Sequence, residues 1–317
     1  MKIVVLDAFT LNPGDLSWES LKELGECKIY NRTSSAEIIE RAEEADILLT
    51  NKTPISGETI SKLPYLKYIG LLSTGYDVVD IVAAKKKNIV VTNILTYGTS
   101  SVAQMVFAHI FNLTQHVGMH AESVKNGEWL NSKDFCYWTR PLIELREKIL
   151  GIIGFGKIGK EVAKIALAFG MKVIVHDRFI EQNSDCEVLF VELATLLEES
   201  DFVSLHCPLT SDTYRFLNGD KIQRMKRSAF LINTSRGLLI DEAALADALN
   251  KEKIAGAGLD VLSKEPPIPE NPLPKARNCF ITPHIAWATI EARTRLMKIA
   301  VKNIQMFLSG DPINVVN

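Results

Sequence analysis

One ten-residue stretch constrains this chain more than any other. Leu150-Gly151-Ile152-Ile153 has the pattern of a buried strand and runs straight into Gly154-x-Gly156-x-x-Gly159, after which a helical pattern begins. The three glycines of such a turn serve separate physical purposes. One permits the tight turn, one lets a pyrophosphate approach the backbone, and one lets the helix pack close to the strand. The helix N-terminus then presents N–H groups and the positive end of its dipole to an anion. A glycine triplet alone is weak, but here the strand before it and the helix after it supply the required context. The next strand-like run ends near Asp177, 18 residues beyond Gly159. That is close to the spacing of about 20 expected for an acid that accepts hydrogen bonds from ribose hydroxyls. A carboxylate there repels a 2′-phosphate, so the pattern favours NAD over NADP, with Arg178 next door arguing the other way. A purely structural glycine turn and a strand-end aspartate are the ordinary alternative.

Two series of short apolar runs alternating with helical stretches flank this turn. The first places strands at 3–6, 47–49, 69–72 and 89–91, with helices at 35–44, 56–63 and 78–87. The second places strands at 150–153, 172–175, 202–205, 230–232, 257–259 and 279–281, with helices at 159–169, 193–199, 219–225 and 242–250. Such alternation predicts parallel sheets covered on both faces. The expected fold class is therefore α/β, with two doubly wound Rossmann or flavodoxin-like domains. The first series has Asp7-Ala8-Phe9-Thr10 where the second has its glycine turn, which makes the second the cofactor domain. Residues 100–125 form one long helical pattern with Val102, Met105, Val106, Ile110 and Leu113 as its stripe. His116 and His120 share a face there, but metal signatures need more than spacing, and a packed or surface helix is the better reading. Residues 264–274 carry five prolines and must be a loop. A final amphipathic helix spans 289–308.

Composition narrows the function classes. The 317 residues suggest about two domains. With 36 basic against 38 acidic residues there is no electrostatic footprint for nucleic acid. No apolar run is long enough for a membrane span or a signal peptide, so the expected location is the cytoplasm. Cys27, Cys136, Cys186, Cys207 and Cys279 are widely spaced, without a C-x-x-C pair, and read as reduced thiols. No metal site is expected.

Three later segments point to a reaction. Asn233-Thr234-Ser235-Arg236-Gly237 follows a strand, Gly258-Leu259-Asp260-Val261 leads to Glu265, and Thr282-Pro283-His284 follows another strand. All fall at C-terminal strand ends, the edge where open α/β sheets bind ligands. Singly, Arg236 reads as a surface ion-pair partner, Glu265 as a loop residue and His284 as a core histidine. Their joint placement on one edge favours an active site.

These segments, in this order after the glycine turn, resemble the D-isomer-specific 2-hydroxyacid dehydrogenases. The resemblance extends to Leu72-Ser73-Thr74-Gly75-Tyr76-Asp77 and so covers nearly the whole chain. Asp134-Phe135-Cys136-Tyr137-Trp138 and His284-Ile285-Ala286-Trp287-Ala288-Thr289 look most like the glycerate dehydrogenases, or hydroxypyruvate reductases. The resemblance implies that Arg236 binds substrate, that Glu265 pairs with the catalytic histidine and that His284 donates the proton. It puts Gly154, Gly156, Lys157, Ile158 and Gly159 at the phosphates and Asp177 at the ribose. Cys207, Thr234, Ser235 and Asp260 become further cofactor contacts, and the backbone N–H groups of Ser73, Thr74 and Gly75 the holders of the substrate carboxylate, together with Arg236 and His284. It implies a substrate domain split into 1–98 plus 285–317, an NAD-binding domain at 99–284, and a dimerisation helix and arm at 100–145. Trp138 in that arm is implied to reach a partner's active site. Gln104 departs from the family's usual Val-Ala-Glu segment, outside the catalytic trio. The expected activity is reversible hydride transfer between NAD(H) and a small 2-keto or 2-hydroxy acid, in a homodimer. A dehydrogenase of another substrate, such as phosphite or formate, and a non-catalytic NAD sensor are alternatives on the same fold.

Overall fold

The computed structural model describes residues 1–178 and 187–317. It divides into two compact units, Met1–Gly98 with Trp287–Asn317, and Thr99–Ala286. Cys186, one of the expected thiols, lies outside the described residues, whereas Cys27, Cys136, Cys207 and Cys279 are unpaired.

The first unit is built on a parallel sheet of β1 (Lys2–Val5), β2 (Glu26–Ile29), β3 (Ile47–Thr50), β4 (Tyr68–Leu71) and β5 (Val90–Thr92), in the order β2-β1-β3-β4-β5. Its inner strands are mostly apolar because helices cover both faces, the usual condition of a parallel sheet. The register aligns Val4, Leu48, Ile69 and Val91 across the sheet. They pack with Ile38, Ala42, Ile60 and Ala84 of the three helices Ile38–Ala42, Gly57–Ser61 and Ile81–Lys86. Alternate residues point to the other face. There Ile3, Val5, Ile47, Leu49 and Tyr68 meet Leu296, Ala300 and Ile304 of the helix Ile290–Leu308. The edge strand β2 was not expected. It alternates Glu26, Cys27, Lys28 and Ile29, exposed and half-buried in turn, and so lacks the apolar run that marks its neighbours.

The second unit carries a parallel sheet of β6 (Ile149–Ile153), β7 (Lys172–His176), β8 (Leu189–Phe190), β9 (Phe202–Leu205), β10 (Phe230–Asn233), β11 (Gly256–Leu259) and β12 (Cys279–Ile281). Their order is β12-β11-β10-β9-β6-β7-β8. The chain runs outward from β6 through β7 and β8, then returns to pair β9 on the other side of β6. Strand order therefore reverses at β6, and ligands of open α/β sheets bind at such a switch point. One face packs Leu150, Ile152, Val173, Val175, Phe202 and Phe230 against helices Thr99–Gln115 and Lys157–Ala168. The other packs Ile174, Val203, Leu205, Leu231 and Leu259 against helices Leu193–Glu199, Gly219–Gln223 and Glu242–Asn250.

The expected single helix over 100–125 is two helices, Thr99–Gln115 and Val117–Lys125. His116 breaks it, with φ of +50°. A tertiary contact ends the first helix: the Thr114 carbonyl accepts from Ile143 N at 3.1 Å, while the Gln115 side chain donates to the Ile143 carbonyl at 2.7 Å. His120 Nδ1 lies 3.0 Å from the His116 carbonyl, so it serves the helix junction. Residues 264–274 are irregular apart from the start of a short 3-10 turn, Leu273–Lys275. Among the described residues, no helix is long and apolar enough to cross a membrane.

Candidate active site

The C-terminal ends of the seven-stranded sheet bring the expected residues of the second unit to one edge. At the end of β6, Gly154 has φ of +97°, and a Cβ there would lie 2.5 Å from Cys207 N. Both the backbone conformation and the packing of the segment after β9 thus require glycine. A Cβ on Gly159 would meet the Gly154 carbonyl at 2.3 Å, so helix Lys157–Ala168 sits directly on the turn. Gly156 differs. It begins the helix with φ of −73°, and a Cβ there would meet nothing within 4 Å. As a glycine it brings no capping side chain to this helix. Asp177 follows β7, and its Oδ2 accepts from Phe155 N at 2.5 Å, tying the acid to the glycine turn. Arg178 points its charge elsewhere, to Asp212 at 2.7 Å.

At the other half of the edge, Arg236 follows β10 and is exposed. Its segment is held by Asn233, whose side chain donates to the Arg236 carbonyl at 2.8 Å and accepts from Ser235 N at 3.0 Å. Ser235 Oγ donates to the Leu205 carbonyl at 2.8 Å, so the hydroxyl expected to meet cofactor locks β10 to β9. Gly237 packs against the Leu262 backbone so closely that no Cβ fits, which brings the segments bearing Arg236 and Glu265 together. His284, after β12, pairs with Glu265: Nδ1 lies 2.6 Å from Oε2. Glu265 is itself fixed, because its Oε1 accepts from Leu262 N at 3.0 Å. With Nδ1 turned to the carboxylate, Nε2 is the nitrogen left to serve a ligand, the relation a positioned acid–base histidine requires.

Residues 107–286 match the family described as D-isomer specific 2-hydroxyacid dehydrogenase, NAD binding domain. A hydroxypyruvate reductase of Blautia hydrogenotrophica is 50% identical, with 100% of both chains covered. This chain belongs to the D-isomer specific 2-hydroxyacid dehydrogenases. It is an NAD-dependent oxidoreductase that moves hydride between the cofactor and a 2-hydroxy or 2-keto acid. A glycerate dehydrogenase of Methylorubrum extorquens is 42% identical, over 99% of this chain and 98% of that one. A D-lactate dehydrogenase from Aquifex aeolicus, solved with NAD and lactic acid, superposes with a TM-score of 0.83 at 32% identity, covering 98% of this chain and 96% of that one.

The residues of this dehydrogenase fit NAD on structural grounds. Among the described residues, the space beside Gly156 is open where a side chain would stand, at the N-cap of the helix. Thr234 Oγ1 is buried without a hydrogen-bond partner among the described residues, an arrangement that costs about 1–3 kcal/mol unless a ligand supplies the bond. Cys207 packs against the turn, and burial pushes its thiol up to about 11, away from the range of a nucleophilic thiolate.

Ser73, Thr74 and Gly75 belong to the other unit, just after β4. Their carbonyls are taken by Ile94 N, the Asn93 side chain and Ser73 Oγ. Among the described residues, none of their N–H groups donates to a protein acceptor. Such a row of N–H groups suits an anion.

Sequence reasoning missed two features of this edge. Asp260 is almost fully buried and accepts from Thr282 Oγ1, Ile285 N and Ala286 N at 2.5, 2.9 and 2.7 Å. It thus holds the turn that carries His284. His206 follows β9 with Nε2 2.8 Å from Ser204 Oγ and with Nδ1 buried and without a partner among the described residues. A histidine one residue before Cys207 was the available signal, but nothing local showed which way it points.

Proposed function

We propose that this dehydrogenase reduces a small 2-keto acid, hydroxypyruvate or glyoxylate, to the D-2-hydroxy acid with NADH. The observation that carries the reading is the Glu265–His284 pair, 2.6 Å apart at the end of β12. The names of the relatives, hydroxypyruvate reductase and glycerate dehydrogenase, support the substrate class.

The nicotinamide supplies the hydride when NADH is bound. Arg236 binds the carboxylate and keto oxygen of the substrate through its planar fork of donors. Ser73, Thr74 and Gly75 hold the carboxylate through backbone N–H groups. His284 donates a proton from Nε2 to the carbonyl oxygen as negative charge develops there. Glu265 fixes the ring and its tautomer through Nδ1. Gly154, Gly156, Lys157, Ile158 and Gly159 receive the pyrophosphate and Asp177 the ribose, with Cys207, Thr234, Ser235 and Asp260 lining the cofactor. The enzyme acts as a homodimer through helix Thr99–Gln115 and the arm after it. In support, Trp129, Leu130, Phe135 and Trp138 expose apolar side chains in that arm. It works in the cytoplasm, which its unpaired cysteines suit.

The test is NADH oxidation, followed by loss of its near-ultraviolet absorbance, with hydroxypyruvate, glyoxylate, pyruvate, phenylpyruvate and a branched-chain keto acid. Hydroxypyruvate or glyoxylate is expected to turn over fastest. Preference for a bulkier acid would discard the substrate assignment. No turnover with intact NADH binding would point to a sensor. His284→Ala should lower kcat by about 10²-fold or more with little change in NADH affinity. Arg236→Lys should raise KM and lower kcat, because an ammonium cannot replace the fork.

A further inference from the structure

We propose that His109, on helix Thr99–Gln115, is a positioning residue for the reaction: through Thr282 and Asp260 it holds the turn that presents His284. The inference rests on the reading of His284 as proton donor.

His109 is buried, with 4% of its surface exposed, in a helix whose other buried residues are mostly apolar or small. A place is built for its ring. A Cβ on Gly258 would lie 2.7 Å from His109 Cβ and 2.9 Å from Nδ1, so the imidazole rests on the backbone of β11 where only glycine leaves room. Two residues on, just past the end of that strand, comes Asp260. His109 Nε2 lies 3.2 Å from Thr282 Oγ1, and Thr282 Oγ1 lies 2.5 Å from Asp260 Oδ1.

The directions of these bonds follow from chemistry. An ionised Asp260 can only accept, so the Thr282 hydroxyl gives it its one proton. The Thr282 oxygen must then accept from His109, which places the imidazole proton on Nε2. Burial lowers the pKa of His109, an effect larger than the opposing pull of Asp260. The ring is therefore neutral at neutral pH, and its single N–H is the one this chain uses.

The far end of the chain bears on catalysis. His284 has φ of +54°, a conformation that costs a non-glycine residue about 1–3 kcal/mol and persists only where its surroundings over-determine it. Asp260 supplies that determination. Its carbonyl accepts from His284 N at 2.8 Å, and its carboxylate accepts from Ile285 N and Ala286 N, the residues just past His284. The carboxylate's angle is set by Thr282, and the Thr282 rotor by His109. A small rotation of this turn displaces Nε2 of His284, and misplacement by about 1 Å can cost up to 10²-fold in rate.

The experiment compares full-length His109→Leu, His109→Gln, Thr282→Val, Thr282→Ser and the Leu/Val double variant in steady-state reduction of hydroxypyruvate. NADH affinity is read by fluorescence titration and folding by thermal melting. His109→Leu and Thr282→Val should each lower kcat about five- to tenfold, with KM and NADH Kd within about twofold. Gln places an N–H near the position of Nε2 and Ser keeps the hydroxyl, so both should recover most of the rate. The double variant should be no worse than Thr282→Val alone, because both changes cut one chain. Wild-type kcat in His109→Leu, no recovery by Gln, or additive losses would overturn the proposal. Should the Leu variant not fold, His109→Met provides the same loss of N–H in a more adaptable side chain. His284→Ala run alongside separates the two readings. Retained turnover there removes the proton-donor assignment, whereas its loss with an unaffected His109→Leu removes only the role of His109.

Discussion

The two units solve the same problem at the first turn of their sheets in opposite ways. Each is a parallel sheet with helices on both faces, so each presents backbone N–H groups at its C-terminal edge. In the first unit the chain answers them itself. Asp7, just past β1, accepts from Asn51, Lys52 and Thr53 N at 2.7, 2.6 and 2.9 Å. In the second unit the first strand ends in Gly154-Phe155-Gly156, where Asp177 takes the Phe155 N–H, the N-cap residue is a glycine, and a Cβ on it would meet nothing within 4 Å among the described residues. In the first unit one carboxylate gathers three N–H groups; in the second the side of the turn at Gly156 carries no side chain. Doubly wound topology thus does not decide which unit binds a nucleotide. The side chain beyond the first strand does.

The strongest way to break this comparison is to fill the open side. Gly156→Val should weaken NADH binding by about 10²-fold while the melting temperature hardly moves, because the backbone there is extended and a Cβ would meet nothing within 4 Å among the described residues. Calorimetric titration with NADH checks this; unchanged affinity would mean that the space is not the pyrophosphate's. Gly154→Ala should act through the fold instead. Its φ of +97° and the 2.5 Å approach of Cys207 N predict a loss of about 2–3 kcal/mol in denaturant unfolding. The closed side predicts the converse. Asp7→Ala should cost about 2 kcal/mol of stability and leave NADH affinity untouched, and a fall in affinity would show that Asp7 is no mere internal anion.

A smaller effect is expected from pH. Burial pushes His206 down to about 4 from the ordinary 6.5. As pH falls, the unfolded chain takes up that proton first, so stability should drop between 6.5 and 4 and level off below. His206→Gln should flatten that part of the melting-temperature profile; an unchanged slope would assign it to other groups. The least effect belongs to Arg178→Ala. The Arg178–Asp212 pair is exposed on both sides, so solvent screens it and little stability rests on it. NADH KM should stay within about twofold, and a selective loss of NADPH use would identify Arg178 as a phosphate ligand.

What was legible in the sequence was local. The buried strands announce themselves as apolar runs because helices cover both faces of each sheet. The edge strand β2 does not, since its exposed positions carry Glu26 and Lys28. The break at His116 was hidden for a different reason: the group that ends the helix, Ile143 N, arrives from 29 residues beyond Thr114. The chemistry-bearing residues were legible for the same local reason as the strands. Asp177, Arg236, Asp260 and His284 each come within three residues of a strand end, and a residue just past a parallel strand has little choice of edge.

Residue type and spacing by themselves determined the fold class, the glycine turn, the acid at Asp177 and the arrival of Arg236, Asp260 and His284 at strand ends. The tertiary structure alone decided what each of those side chains does there. Glu265 turns to His284 across 19 residues, Asp260 gathers the turn at 282–286, and His109 reaches Thr282 across 173. Periodicity reports which face of an element is buried. It carries no record of which distant polar atom completes a hydrogen bond, and that depends on how the strands are ordered in the sheet.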